Sequence, residues 1–241
     1  VDGFNPEYGA PTLPTVEILR EMMDEKDLWP INKEVWDYLD GNGFHLMSTM
    51  YTDLVNNYGK SSSIDEFAQK GQFVGAMNSK SIWEVWNYNK LDYGDRFCSG
   101  LLFWYHNCPV RQVCARMWDW SLEPTASLYH TANSLEPLHA QFDYLKNTVS
   151  VVNDFYQAFK AYTVTAQVYD INSKLVFEES AKVDLPSDGV ANDVLTIRFP
   201  ENISQVHFIK LRLKDEKNKE VSSNFYWRSN DKYEGKETLT G

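Results

Sequence analysis

The spacing of apolar residues changes at Pro137, and this change constrains the fold more than any other feature of the chain. Before Pro137 apolar side chains recur at helical spacing, whereas after it they alternate with polar ones. Seven alternating segments, separated by turn-forming clusters, follow one another: Leu138 to Tyr144, Val149 and Val151, Val164 to Val168, Leu175 and Phe177, Leu195 to Phe199, Ile209 to Leu213, and Phe225 and Trp227. Seven short strands in this pattern predict an antiparallel β-sandwich of the immunoglobulin type.

The part before Pro137 predicts helices together with two short strands, the pattern of an α/β domain. Apolar residues show helical spacing over residues 15–23. They show it again from a capping box formed by Ser63 and Glu66 to about residue 88. The run 100–105 is apolar without alternation, which predicts a strand covered on both faces. A helix followed by such a strand is typical of a parallel α/β unit.

Glycines and prolines interrupt the pattern between residues 24 and 61, where we expect a long connection with short helical pieces. One of these pieces is expected to carry Leu46, Met50, Leu54 and Tyr58, which share helical spacing.

The chain is expected to divide into an α/β part at 1–135, a sandwich at 136–229 and a polar tail at 230–241, with the boundary near 132–137. A closed eightfold βα barrel takes roughly 250 residues. The predicted α/β part is much shorter and contains only two plausible buried strands. It is therefore expected to be a piece of a barrel.

Composition narrows the classes of partner. The net charge of -11 disfavours nucleic acid and anionic membrane surfaces. No apolar run of the sequence reaches membrane length, which argues for a soluble protein. The spacings of Cys98, Cys108 and Cys114 match no zinc template, so they are interpreted as buried thiols and we expect neither a metal nor a cofactor.

Glu7 is the candidate catalytic residue because of the backbone that flanks it. Pro6 fixes its own φ and restricts Asn5 to extended conformations, while Gly9 permits a sharp bend before the first helix. Such a turn suits a carboxylate that must meet a sugar carbon at a set distance. A solvated loop glutamate is the alternative interpretation.

Several stretches match one enzyme family, in one order, over nearly the whole chain. They lie at 4–9 (Phe-Asn-Pro-Glu-Tyr-Gly), 14–23, 58–60, 65–70, 100–104, 136–142 and 149–153. Together they resemble glycoside hydrolase family 2, and most closely its exo-β-glucosaminidase and β-mannosidase-like branch.

The resemblance implies a partial (β/α)8 TIM barrel, made of its last two βα units, followed by an immunoglobulin-like antiparallel β-sandwich. It implies that Glu7 is the nucleophile of a retaining mechanism at the end of the seventh barrel strand, and that 100–104 is the eighth strand. The family's general acid lies in an Asn-Glu pair after the fourth strand, upstream of Val1. We therefore expect the C-terminal portion of a retaining exo-β-glycosidase for terminal glucosamine or mannose-type sugars, inactive by itself and partnered by the remaining N-terminal domains.

The resemblance also implies residues that bind substrate. Trp104 matches a tryptophan that floors the sugar subsite, and Asn107 matches a polar position just beyond it. Tyr8 is a candidate hydrogen-bond donor to the nucleophile or the substrate, with core packing as the alternative. After Asn107 the sequence departs from the family: an indole is missing and Arg111 stands nearby, where it is able to pair with a carboxylate on substrate or protein. His106 is a further candidate for the same loop.

A second function class stays open, in which the chain is a non-catalytic carbohydrate-binding or scaffold module and Glu7 is incidental. The enzyme is favoured if Glu7 and Trp104 lie side by side at the carboxyl ends of parallel strands and open onto one concavity. An oligosaccharide or glycoside and a second copy of the chain are the other expected partners. The resemblance implies an extracellular or periplasmic location.

Overall fold

The computed structural model describes residues 3–90 and 98–229, so the predicted polar tail at 230–241 lies outside the described residues. The part before the sandwich contains, in chain order, β1 (Phe4–Tyr8), α1 (Val16–Met22), α2 (Glu25–Leu28), α3 (Lys33–Tyr38), a π-helical turn (Met47–Tyr51), α4 (Thr52–Asn56), α5 (Ile64–Tyr88), β2 (Gly100–Phe103) and α6 (Ala126–Ser134). None of the helices that the structure describes has the length and apolar character needed to cross a bilayer.

The long helix α5 begins where the capping residues predicted it. The Ser63 hydroxyl accepts a hydrogen bond from the Glu66 amide at 3.3 Å, while the Glu66 carboxylate accepts one from the Ser62 amide at 2.8 Å. Further along α5, a Cβ at Gly75 would lie 1.5 Å from the Thr12 hydroxyl oxygen. Glycine at this position thus lets α5 pack closely against the segment that follows β1, and this contact positions the end of that strand.

Strands β1 and β2 form a two-stranded parallel sheet, with Phe4 opposite Gly100 and Tyr8 opposite Phe103. The register shifts between Asn5 and Tyr8, where β1 contains one residue more than β2, so the strand is bulged at 6–7. The expectation of a strand covered on both faces is wrong for the described residues, since Leu102 is 55% exposed. No described element covers that side of β2.

The helical piece predicted around residues 46–58 forms, but it buries the neighbouring row of side chains. Leu46 has a left-handed backbone (φ 56°) and precedes the π-helical turn, so the helix starts one residue later. Met47, Tyr51 and Val55 are fully buried, whereas Leu46 is 47% exposed. The Tyr51 hydroxyl, the one polar side-chain group of these three residues, donates to the Gly71 carbonyl of α5 at 2.6 Å and so has a hydrogen-bond partner in the core.

The sandwich follows α6 and consists of β3 (Leu138–Asp143), β4 (Thr148–Asn153), β5 (Phe159–Asp170), β6 (Leu175–Leu185), β7 (Gly189–Thr196), β8 (Val206–Lys214) and β9 (Glu220–Ser229). Its two antiparallel sheets have the strand orders β3-β4-β7 and β6-β5-β8-β9. Inward side chains of both sheets form one core, in which Val151, Val164, Ile209 and Leu211 are fully buried. Full burial of each such aliphatic side chain contributes about 1.5–3 kcal/mol to the free energy of folding, before the entropy of ordering is counted.

The prediction of a mixed helix and sheet part followed by an immunoglobulin-like antiparallel sandwich is confirmed. The division into domains stays a prediction; α6 ends at Ser134 and β3 begins at Leu138.

A buried polar cluster joins α5 to the sandwich. The Lys80 ammonium donates to Asn224 Oδ1 at 2.6 Å, and Glu84 Oε1 accepts from Asn224 Nδ2 and the Tyr226 hydroxyl, both at 2.9 Å. His139 Nε2 lies 3.1 Å from the same Glu84 oxygen. Burial alone would raise the pKa of Glu84, but Lys80 and His139 outweigh it and the pKa is lowered. The sandwich is therefore held on α5 by charged groups as well as by apolar contacts.

Candidate active site

Glu7 lies near the carboxyl end of β1, inside the bulge, with an exposed side chain. Its amide donates to Asn5 Oδ1 at 3.1 Å, a local bond that supports the bulged backbone. Bulges redirect side chains and occur often beside functional sites. The sequence signal for this geometry is Pro6, which has no amide hydrogen to give to a sheet ladder.

Trp104 follows β2 directly, and its amide donates to the Tyr8 carbonyl at 2.5 Å, which extends the parallel ladder by one bond. Its side chain is 41% exposed. The buried Arg116 guanidinium lies 5.8 Å from the Trp104 ring centre, and the Phe44 ring makes an edge contact at 6.5 Å. The indole is therefore supported by a cation and an aromatic edge while part of it stays accessible.

Gly9 has a different role from the one expected. A Cβ there would lie 2.1 Å from the Trp104 carbonyl oxygen, so the residue is small because two backbone segments pass closely. This contact links the chain after Glu7 to Trp104. The two residues consequently lie at the same edge of the parallel sheet.

A wide concavity of about 670 Å³ opens beside this edge. It brings together two of the predicted site residues, Trp104 and Asn107. The other residues that line it include Phe44, His45, Tyr105 and Gln112. Glu7 and Tyr8 do not line it, so the structure places Glu7 next to Trp104 in the sheet but not on the wall of this concavity.

Tyr8 faces the helical layer. Its hydroxyl donates to the Asn78 carbonyl of α5 at 3.3 Å, and its ring meets Phe103 edge-on at 5.9 Å. Burial raises the pKa of Tyr8 to about 12, against a smaller opposing effect of Arg116. The packing alternative describes this environment, and a contact of Tyr8 with substrate stays a prediction.

In the loop after Trp104, the candidate residues Arg111 and His106 each contact a tryptophan. The Arg111 guanidinium lies 5.0 Å from the centre of the Trp120 ring, a cation–π contact, and its pairing with a carboxylate on substrate stays a prediction. The His106 ring packs against Trp118 at 5.9 Å. Trp118 thus supplies an indole close to this loop. The family motif after Asn107 did not identify this residue, because Trp118 lies further along the sequence.

His45, which lines the concavity, and its partner Asp40 were not identified from the sequence. The chain between them passes through left-handed backbone at Gly41 (φ 60°) and Gly43 (φ 75°), which folds the two side chains together. The His45 ring nitrogen Nδ1 lies 2.7 Å from Asp40 Oδ1. An aspartate and a histidine that flank a glycine-rich turn were the available signal.

The three cysteines are buried thiols, as predicted. Ligand atoms of Cys114, Asp40 and His45 lie within 4.8 Å of one another, which raises the question of a metal. However, Arg116 Nη1 donates to Cys114 Sγ at 3.3 Å, and burial raises the pKa of the Cys114 thiol. A protonated thiol beside a guanidinium is a poor ligand for a cation.

Comparisons with known proteins match the sandwich and nearly the whole chain. Residues 146–233 match the family model of the Mannosidase Ig/CBM-like domain. An exo-β-D-glucosaminidase from Amycolatopsis orientalis is 25% identical over 236 residues, which cover 94% of this chain and 22% of the relative. A mannosylglycoprotein endo-β-mannosidase from Lilium longiflorum is 22% identical over 245 residues, which cover 93% of this chain and 25% of the relative.

The resemblance to glycoside hydrolase family 2 is confirmed. The crystal structure of an exo-chitosanase from Amycolatopsis orientalis superposes with a TM-score of 0.84 at 24% identity, over 95% of this chain and 28% of that one, which shows a shared fold. The chain spans about a quarter of the length of the curated relatives it matches.

Proposed function

We propose that this chain is the C-terminal part of a retaining exo-β-glycosidase that removes terminal β-linked glucosamine or mannose-type sugars. Glu7 is its nucleophile, Trp104 and Asn107 form part of the sugar site, and the general acid belongs to another part of the parent enzyme. In this proposal β1 and β2 are the last two strands of a (β/α)8 barrel.

One observation carries the proposal: Glu7 and Trp104 lie at the carboxyl ends of two adjacent parallel strands. In βα barrels this edge holds the active site. Phe4 and Leu102, on the same two strands, are 50% and 55% exposed. This exposed apolar surface supports the proposal that further barrel strands cover it in the parent enzyme.

The chemistry assigns each group a task. Glu7 attacks the anomeric carbon and forms a covalent glycosyl-enzyme, while a second carboxyl group about 5–5.5 Å away protonates the leaving oxygen and then activates water. The accessible part of the Trp104 indole suits the apolar face of a sugar ring. Since both carboxyl groups are needed, the 241-residue chain alone is expected to be inactive.

The test is made in the full-length enzyme with aryl β-glycosides of glucosamine and mannose. Glu7→Gln should lower kcat by about a thousandfold or more, because the covalent step is lost. Glu7→Ala in the presence of azide should release a glycosyl azide of inverted configuration, which a structural role for Glu7 would not produce. Glu17→Gln, at an exposed carboxylate of α1, is the matched control and should retain full activity.

A second candidate, a non-catalytic carbohydrate-binding or scaffold module, is supported by the position of Glu7 outside the concavity that Trp104 lines. It predicts that Glu7→Gln leaves all properties of the protein unchanged, whereas Trp104→Ala weakens sugar binding. Full turnover by the Glu7→Gln enzyme would overturn the proposal that Glu7 is the nucleophile and would favour a non-catalytic role for this chain.

A further inference from the structure

Asp40 is a fully buried carboxylate whose hydrogen bonds all run to one short segment. Its Oδ2 accepts from the amides of His45 (3.0 Å) and Met47 (3.2 Å), and its Oδ1 lies 2.7 Å from His45 Nδ1. Since a carboxylate accepts and does not donate, His45 Nδ1 carries the hydrogen of this contact. In the tautomer with its hydrogen on Nδ1, the ring has a free lone pair on its other nitrogen, Nε2.

His45 Nε2 is buried and makes no hydrogen bond with any residue that the structure describes. The side chain of His45 is only 8% exposed, yet the residue lines the concavity that Trp104 and Asn107 share. The amide of Gln112 approaches the ring at Nδ1 (3.3 Å) and therefore does not serve Nε2. The ring that lines the concavity thus holds a buried, unpaired acceptor, and such an acceptor gains a hydrogen bond when a donor on a ligand reaches it.

We infer that His45 is a further sugar-binding residue, whose Nε2 accepts a hydrogen bond from a donor group on the sugar seated against Trp104. Asp40 is a positioning residue that holds the ring and its tautomer. The donor is a hydroxyl or an amino group, which share this chemistry. The inference rests on the proposed function, because it takes the concavity to be part of the sugar site.

Two substitutions at His45 separate this role from a structural one. Asparagine places its amide where Nδ1 stands, facing Asp40, and leaves nothing at the position of Nε2, whereas glutamine reaches the position of Nε2. In the full-length enzyme, His45→Asn should raise KM about tenfold with kcat and Tm little changed. His45→Gln should stay within about threefold of the wild-type KM.

Asp40→Asn tests the tautomer. The two backbone amides at Oδ2 require the oxygen of the new amide, so its NH2 group faces His45 and donates to Nδ1. The hydrogen of the ring then moves to Nε2, which changes from acceptor to donor. This variant should raise KM as His45→Asn does, although it differs from the wild type by only one non-hydrogen atom.

The choice of substrate identifies the donor: a rise in KM for the glucosaminide alone assigns the amino group, and a rise for the mannoside as well assigns a hydroxyl.

A wild-type KM in His45→Asn would overturn the inference, as would an equal loss in His45→Gln accompanied by a lower Tm. If Glu7→Gln shows that the glycosidase proposal fails, binding of glucosamine and mannose, followed by tryptophan fluorescence, tests His45 independently. Equal affinity of wild type and His45→Asn for both sugars would then reject it.

Discussion

Lys80 and Glu84 should be energetically coupled, because they lie one helical turn apart in the interface between α5 and the sandwich. The Lys80 Nζ to Glu84 Oε1 distance is 3.9 Å, and the side chains are only 4% and 6% exposed. Lys80 also lies over the Tyr226 ring, 3.7 Å from its centre, and donates to the Phe225 carbonyl at 2.7 Å. The replacements Lys80→Met and Glu84→Gln, made singly and together, remove either charge or both.

The magnitude follows from distance and burial. Two unit charges at 3.9 Å attract by about 4 kcal/mol when the effective dielectric constant is about 20. Removal of one partner of a buried pair costs about 3–5 kcal/mol, because the other charge is left uncompensated. Lys80→Met should therefore lower the free energy of unfolding by about 3–5 kcal/mol. The double variant should lose less than the sum of the two single losses, by about 2–3 kcal/mol.

Urea unfolding of the chain and its three variants, followed by tryptophan fluorescence, measures this coupling as a double-mutant cycle. Lys174→Met is the matched control, since Lys174 is exposed and its replacement should change the free energy by less than about 0.5 kcal/mol. A coupling below about 0.5 kcal/mol, or a loss below about 1 kcal/mol in Lys80→Met, would refute the view that this pair joins α5 to the sandwich.

Two further predictions concern the same interface and the site. Burial alone would lower the pKa of His139, but the carboxylates of Glu136, 3.9 Å from Nδ1, and of Glu84, 3.1 Å from Nε2, outweigh it and raise the pKa above its ordinary 6.5. The stability that His139 provides is therefore complete below pH 6.5 and is lost as the pH rises through its folded-state pKa. The difference in unfolding free energy between wild type and His139→Gln should consequently shrink as the pH is raised. A difference that stays constant with pH would contradict this. Gly9→Ala should raise KM for aryl glycosides, because the new Cβ would lie 2.1 Å from the Trp104 carbonyl oxygen and displace the indole. The Tm of the variant is the control for folding. An unchanged KM would show that the displacement does not reach the sugar site.

Local signals in the sequence were sufficient for much of the fold. The strands of the sandwich follow from alternation that each segment carries by itself, as in Ile209 to Leu213. The start of α5 follows from Ser63 and Glu66, which satisfy backbone groups within one turn of each other. Short-range patterns of this kind need no knowledge of which distant segments meet.

The candidate site divides between the two sources. Pro6 and Glu7 marked the end of β1, and the family resemblance directed attention to Trp104 and Asn107, which share a concavity in the structure. The resemblance did not show that Tyr8 bonds to α5 or that Gly9 is small because it passes the Trp104 carbonyl. Those facts depend on contacts between segments far apart in the chain.

The sequence by itself determined the order and type of the main elements, because period, caps and turns are properties of neighbouring residues. Only the tertiary structure decided that Met47, Tyr51 and Val55, instead of the row containing Leu46, face the core. It also decided that Asp40 and His45 form a pair at the edge of the concavity. The physical reason is that burial and hydrogen-bond partners are set by what packs against a segment, and several local solutions of nearly equal quality become unequal only when that packing is present.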